Sequence, residues 1–368
     1  MYNTDKRTVL TLDAGGTNFV FSAIRGNWEI VSPICLPAYP NELDKCLHSL
    51  LSGFTEVKNK LDEQPVAISF AFPGPADYEN GIIGDLPNFP SFRGGVPLGP
   101  YLEEKFEIPV FINNDGNLFA YGEALAGALP QLNATLAAHG CNKVYKNLLG
   151  LTWGTGFGAG VVIDNRLLTG DNGCGGDVWV FRNKLFHDKI AEESVSIRAI
   201  IRVYNELSGN TDTSITPFEI FEIAEGTKPG NKQAAIDSFA RFGEVAGDVI
   251  SHLLTFTDGI VVIGGGITGA AKYIFPAMMK EMKGQLGTFA GDIFPRLQMS
   301  IYDLTNEKEF NEFIKDKSID IKIPESDKHV RYNPVKQSGI LTTVIGTSKA
   351  VAFGAYAFAL NKLDTTIG

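Results

Sequence analysis

Apolar residues gather into short runs and alternating stretches in the first third of the chain, then recur at helical spacing through the middle. Val9 to Ile24 places β-branched and apolar residues on both sides of Asp13-Ala14-Gly15-Gly16-Thr17-Asn18, a pattern that predicts two strands joined by a tight turn. Trp28 to Leu36 predicts a third strand, and Leu43, Leu47, Leu50, Leu51, Phe54, Val57 and Leu61 mark one face of a helix. Val66 to Phe72 is an apolar run halted by Pro73-Gly74-Pro75, which predicts a buried strand emptying into a loop. Residues 77–100, rich in Gly, Pro and Asn, read as a long functional loop region. Leu98 to Phe106 predicts a short helix and Pro109 to Asn113 another buried strand.

That strand ends at Asn113-Asn114-Asp115-Gly116-Asn117. Leu118 to Leu129 follows as a helix dense in Ala and Gly, whose small residues permit close approach and suit a domain crossing. Leu148 to Ile163 then repeats the opening design: an apolar strand, the turn Gly154-Thr155-Gly156-Phe157-Gly158-Ala159-Gly160, and Val-Val-Ile. Two copies of one pattern, about a domain apart, suggest two related halves. Helical spacing covers Ser194 to Leu207, Phe218 to Glu225 and Asn231 to Thr255. Gly259 to Ile263 is an apolar strand running into Gly264-Gly265-Gly266-Ile267-Thr268-Gly269 and a helix from Ala270. Leu286 to Gly339 has a charged middle and reads as a surface excursion or an oligomer contact, and Thr347 or Ser348 caps a final Ala-rich helix reaching about Lys362.

A length of 368 residues predicts two domains of ordinary size. The net charge of −10, with no basic run to offset it, argues against nucleic-acid and anionic-membrane binding. No stretch has the apolar length of a membrane span, and the opening Met-Tyr-Asn-Thr-Asp-Lys-Arg leaves no room for an export signal. Cys35, Cys46, Cys141 and Cys174 show no paired spacing and read as free thiols of a reducing cytoplasm.

The chemistry is concentrated in the turns. Glycines let successive N–H groups point into one concavity; Thr17 and Asn18 add side-chain donors, and the Asp13 carboxylate suits a hydrated divalent metal. An ordinary Gly-turn hairpin explains one such loop, but two of the same build fit two cradles for one polyphosphate. Gly264-x-Gly266-x-x-Gly269 matches a dinucleotide fingerprint literally, yet it lies late in the chain and lacks a placed acidic residue, so a nucleotide base fits as well. His48, His139, His187, His252 and His329 are scattered, and no protein metal cluster is expected. Asp115 suits two roles: the N-cap of the helix that follows, or a general base for a hydroxyl attacking a phosphoryl group.

Taken jointly, these motifs resemble the ROK group of sugar kinases within the actin/hexokinase-like ATPases. Asp13-x-Gly15-Gly16-Thr17 looks like the family's phosphate loop and Gly154-Thr155-Gly156-x-Gly158 like its second. Asn114-Asp115 with Gly116 and Asn117 looks like the substrate and catalytic-base motif, followed by Gly122-Glu123-Ala124; Gly264-Gly265-Gly266 resembles the adenosine motif, and Gly74 with Pro87-Asn88 the sugar loops. The departures lie where members carry Glu-x-Gly-His. This chain reads Asp177-Val178-Trp179-Val180, and the cysteine-rich zinc loop is absent, leaving Cys174 alone.

The resemblance implies a two-domain α/β fold of the ribonuclease H-like, actin-like ATPase type with an interdomain cleft. Residues 1–114 would form the N-terminal domain, with the C-terminal helix of about 347–363 packed back on it. Residues 115–346 would form the second, carrying a surface insert of about 286–339. It further implies ATP-dependent phosphorylation of a hexose or N-acetylhexosamine, at the hydroxyl on C6, with Asp115 as base. Gly74, Asn88, Asn114 and Asp177 would hold the sugar, and Asp13, Gly15, Gly16, Thr17, Asn18, Gly154, Thr155 and Gly156 the ATP phosphates. Gly264, Gly265 and Gly266 would hold the adenosine and Asp13 a Mg²⁺ ion through water, with no zinc site. A cytoplasmic homodimer is the form the family implies. A non-catalytic sugar sensor or scaffold on the same fold is the alternative, and a dehydrogenase using Gly264 to Gly269 is a third.

Overall fold

Residues 2–74, 76–84, 89–212 and 214–366 are described by a computed structural model of the chain, which divides into two units. Met1–Ala128, Gly160–Gly176 and Val344–Gly368 form the first, and Leu129–Ala159 with Asp177–Thr343 the second.

In the first unit β1 (Val9–Ala14) and β2 (Asn18–Arg25) pair antiparallel as the alternating apolar pattern requires, with Ala14 opposite Phe19. The outer edge of β2 carries β3 (Trp28–Glu29) and β4 (Ile34–Pro37). On the other side of β1, β5 (Ala67–Ala71) and β9 (Val110–Asn113) add in parallel. A small three-stranded sheet of β6 (Ala76–Asp77), β7 (Ile82–Ile83) and β8 (Val96–Pro97) interrupts the connection, so the polar region holds more regular structure than its composition suggests.

Because β1 and β5 are covered on both faces, their residues form two cores. Helices α1 (Leu43–Lys58) and α2 (Leu98–Phe106) contribute to an aromatic core in which Phe54 meets Phe21 edge-on at 5.0 Å, and Phe72 lies 5.1 Å from Phe89 and 5.4 Å from Phe92. Each such buried ring contributes about 1.5–3 kcal/mol. Val9, Ile24 and Ala67 belong to a separate core with Phe353, Tyr356 and Leu360 of α10 (Thr347–Thr366). Helix α3 (Asp115–Leu125) packs on α10 so closely that no side chain fits between them. A Cβ on Gly122 would sit 1.9 Å from the carbonyl oxygen of Ala350, and one on Gly354 would sit 1.8 Å from that of Leu118.

The second unit repeats the plan. Its strands β10 (Leu148–Trp153), β13 (Ile260–Gly264), β19 (Gln337–Thr342) and β16 (Ser300–Asp303) follow in that order in one sheet, which begins with β12 (Arg166–Leu167) and β11 (Phe157–Ile163), strands that fall wholly or mostly in the segment 160–176 assigned to the first unit. Strands β10, β13, β19 and β16 run parallel. Its helices are α4 (Ala128–Ala138), α5 (Ile197–Ser208), α6 (Pro217–Glu225), α7 (Lys232–Thr257), α8 (Ala271–Met282) and α9 (Glu307–Phe313). Thr216 and Glu219 close a capping box on α6, and Gly243 and Gly247 let the 26-residue α7 approach the backbone of α8. Two small hairpins complete the unit: β14 (Gln285–Gly287) with β15 (Ile293–Pro295), and β17 (Ile319–Lys322) with β18 (His329–Tyr332).

The structure redraws three sequence expectations. Contacts place α3 in the first unit and the boundary after Ala128 rather than at 114/115, because the small face of α3 is buried on α10. The 286–339 segment is not purely a surface excursion, since β16 lies within it and β19 begins there, both in the central sheet. Helix α4 forms where Gly127 and Pro130 obscured the periodicity.

Candidate active site

In the first unit, three parallel strands deliver the candidate residues to one edge. Register sets Asp13 of β1 opposite Ala71 of β5, and Ala71 opposite Asn113 of β9, so the turns after these residues leave the sheet side by side at its carboxyl end. That is the usual location of ligand sites in parallel sheets. The turn after β1 holds Gly15, Gly16 and Thr17 exposed, and a Cβ on Gly15 would come within 2.8 Å of the Asn18 carbonyl oxygen, so this turn requires glycine. Thr17 accepts the N–H of Ala38 at its carbonyl, and the residue is exposed. Past β5, Gly74 is exposed beside the Tyr78 hydroxyl, which donates to the Phe72 carbonyl at 3.0 Å. Asn88 lies outside the described residues.

After β9 the backbone is held by a ladder of amides. Asn113, buried, accepts at Oδ1 from the N–H of Asn114 at 2.8 Å and from the Asn117 side-chain amide at 3.0 Å. Asn114 is the N-cap of α3, accepting the Asn117 N–H at 2.6 Å, a contact worth about 1 kcal/mol. Capping is therefore done by Asn114, which releases Asp115 to the first helical position. The Asp115 carboxylate is open to solvent yet recessed among protein atoms, and it accepts the Gly116 N–H at 2.9 Å. Incomplete hydration raises its pKa above the ordinary carboxylate value; the backbone N–H donors oppose this, and the negative charge of Asp13 adds a further push upward. A reachable carboxylate with raised basicity is the chemical equipment of a general base. Asp13, exposed at the end of β1, fits outer-sphere contact with a hydrated divalent cation.

In the second unit, the two Gly-rich turns are neighbours. Thr152 of β10 stands opposite Gly264 of β13, and Gly265 has φ +95° with its Cβ position only 2.2 Å from the carbonyl oxygen of Trp153. Backbone thus packs directly on backbone. The Gly154 turn is closed by the Gly154 N–H donating to the Gly156 carbonyl at 3.1 Å and tied to α5 by the Ile197 N–H donating to the Gly154 carbonyl at 2.9 Å. Glu192 braces it from below, accepting the Phe157 N–H at 2.9 Å and pairing with Arg198 at 2.7 Å. Asp177 precedes a short 3₁₀ turn, exposed, with Trp179 and Val180 also exposed. Among the described residues no group of three His, Cys, Asp or Glu side chains is arranged to hold a metal ion.

The sequence places Asn117 beside Asp115 in the catalytic-base motif but does not reveal the roles of Asn113 and Glu192. The i, i+4 spacing of Asn113 and Asn117 across the strand-to-helix turn was the available signal; Glu192 had none, since its partner is a backbone N–H distant in sequence.

Comparison with known proteins draws these features together. The crystal structure of a glucokinase from Parabacteroides distasonis is 56% identical, covers 98% of this chain and 99% of its own, and matches with a TM-score of 0.88. A glucokinase from Thermotoga maritima is 26% identical over 298 residues, 75% of this chain and 87% of the relative. An N-acetyl-D-glucosamine kinase from Vibrio parahaemolyticus is 27% identical over 291 residues, 73% of this chain and 87% of the relative. The shared fold is the two-domain actin-like ATPase fold. With the ROK family's sequence profile matched over residues 9–294, the chain belongs to the ROK family.

Proposed function

We propose that this chain is a sugar kinase that transfers the γ-phosphoryl group of ATP to the C6 hydroxyl of a hexose or N-acetylhexosamine, with Asp115 as general base. The observation that carries this reading is the recessed, accessible Asp115 carboxylate, freed from capping by Asn114 and raised in basicity. Asn114, Gly74, Asn88 and Asp177 orient the sugar, so that one hydroxyl lies within reach of Asp115. The carboxylate takes the hydroxyl proton as the oxygen attacks phosphorus in line, and most of the rate comes from positioning and charge stabilisation.

Gly15, Gly16, Thr17 and Asn18 hold ATP phosphates with backbone and side-chain donors, as do Gly154, Thr155 and Gly156. Gly264, Gly265 and Gly266 leave a flat backbone surface for the adenosine. Asp13 would hold a Mg²⁺ ion through water, which would neutralise phosphate charge. Relatives named glucokinase and N-acetyl-D-glucosamine kinase support a six-carbon sugar of one of these two kinds. Use of ATP and the free thiols of Cys35, Cys46, Cys141 and Cys174 suit the cytoplasm, and two copies make the working form. Sugar is the partner in this reading; nucleic acid and membrane are not.

The test is ADP release by purified protein with Mg·ATP and a panel of glucose, mannose, fructose, N-acetylglucosamine and N-acetylmannosamine, beside Asp115→Asn. Sugar-dependent release that collapses in the variant is expected. Measurable sugar binding with no release for any sugar would overturn it in favour of a sensor, a reading motivated by Val180 at the position of the family's histidine.

A further inference from the structure

Asn183 is a fully buried polar residue in the segment between Asp177 and α5. Its Oδ1 accepts the N–H groups of Leu185 at 3.0 Å and Phe186 at 3.2 Å, which folds the chain back on itself. Its Nδ2 donates to the Ile190 carbonyl at 3.2 Å and to the Ser194 hydroxyl at 2.8 Å. A side-chain amide has two donors and two acceptor lone pairs, so all four are used. The backbone continues the closure: the Asn183 N–H donates to the Lys189 carbonyl at 2.9 Å, and the Ala191 N–H to the Phe181 carbonyl at 2.7 Å. Next in the chain, Lys184 bonds Glu244 of α7 at 2.8 Å and Glu281 of α8 at 2.5 Å, which anchors the closed loop to the body of the unit.

Ile190 and Ser194 bracket the short 3₁₀ turn Ala191–Glu193, so the two donors of Asn183 pin that turn from both ends. At its middle stands Glu192, whose Oε2 accepts the Phe157 N–H at 2.9 Å and lies 2.8 Å from the place a Cβ on Gly156 would take. The Ser196 hydroxyl donates to the Glu192 carbonyl at 2.8 Å, and the following Ile197 donates its N–H to the Gly154 carbonyl at 2.9 Å. The Gly154 turn therefore rests on this corner at both of its ends. We propose that Asn183 is a positioning residue for nucleotide binding: by clasping Ile190 and Ser194 it holds Glu192 against the Gly154 turn and fixes the N–H groups of that turn where they meet phosphate oxygens. Without the clasp, Glu192 is left to follow Arg198, its half-exposed partner at 2.7 Å, and the Phe157 N–H loses its acceptor. A misplacement of about 1 Å in a positioned group costs up to roughly a hundredfold.

This rests on the reading of Gly154, Thr155 and Gly156 as an ATP phosphate turn and adds what holds it. Calorimetric binding of Mg·ATP, which needs no turnover, and amide hydrogen exchange at Phe157 test it, with thermal melting as a folding control. Asn183→Ala is expected to weaken Mg·ATP binding roughly tenfold, and Ser194→Ala, which removes one contact and spares the fold if Asn183→Ala does not, roughly threefold. Both should speed exchange of the Phe157 N–H. Either change made on top of Glu192→Ala is expected to add little, because a group acting through Glu192 has nothing left to position. Full additivity with Glu192→Ala would overturn that route, and unchanged Phe157 exchange in a folded variant would overturn the clasp. Faster exchange with unchanged Mg·ATP affinity would leave the clasp standing and remove the Gly154 turn from the nucleotide site.

Discussion

The side-chain amide of Asn117 donates to Oδ1 of Asn113 at 3.0 Å, tying the first turn of α3 to the last residue of β9. Among the described residues the buried Oδ1 of Asn117 has no hydrogen-bond partner, so the contact seen is made through its donor. Asn117→Ala should lower kcat about tenfold by loosening the turn that aims Asp115, with little change in the KM for ATP. Asn117→Asp, though nearly isosteric, should be worse than Ala in thermal stability, because it exchanges a needed donor for a buried acceptor charge.

Asp115→Asn should cut kcat by roughly 10²–10⁴-fold while sugar affinity, measured by calorimetry, is largely kept. In the wild type the acid limb of kcat/KM should lie above the usual carboxylate range, because incomplete hydration raises the Asp115 pKa. The same shift predicts a stability gain. A carboxylate whose folded pKa exceeds its unfolded one contributes stability that is complete below the unfolded value and lost as pH rises through the folded one. At neutral pH the ionised group is therefore a cost that Asn removes while still accepting the Gly116 N–H. The variant should melt higher than wild type at pH 7, with the difference vanishing in acid.

Gly354→Ala should destabilise the protein by about 1–3 kcal/mol or more, because its methyl group would push α10 off the backbone of α3 at Leu118. Gly122→Ala acts at the same crossing from the other side. Once the helices are parted, the second methyl costs less, so the double variant should lose less stability than the sum in denaturant titrations.

Gly265→Ala meets two obstacles, a φ of +95° and the Trp153 carbonyl oxygen at 2.2 Å. It should raise the KM for ATP severalfold or more while leaving sugar binding near wild type. An unchanged ATP KM in a folded variant would remove the Gly264 to Gly266 turn from the nucleotide site.

What was legible in the sequence was local. Short apolar runs ending in Gly, Asp and Asn announce the turns around Asp13, Asp115, Gly154 and Gly264, and only the last of these contains a positive-φ residue, Gly265. The sequence leaves both roles open for Asp115, because Asn114 and Asp115 are both good caps and only the 2.6 Å contact of Asn114 separates them. The row of Asp13, Ala71 and Asn113 could not be read, because parallel register joins strands separated by a loop region and helices. The hairpin at 319–332 is masked by its own charges: Ile-Asp-Ile-Lys alternates, but the charge run around it has the pattern of a solvated surface.

Helix α10 has a consequence for how the protein comes into being on the ribosome. It contributes Phe353, Tyr356 and Leu360 to the core that Val9, Ile24 and Ala67 begin, and it is the surface on which α3 lies. The nascent β1–β2 hairpin therefore waits, one face bare, until translation has passed through the second unit and delivered residues 347–366. The second unit can consolidate first. The helix carrying Asp115 acquires its seat last, so an interrupted polypeptide would hold its nucleotide-turn sequences without a fixed base.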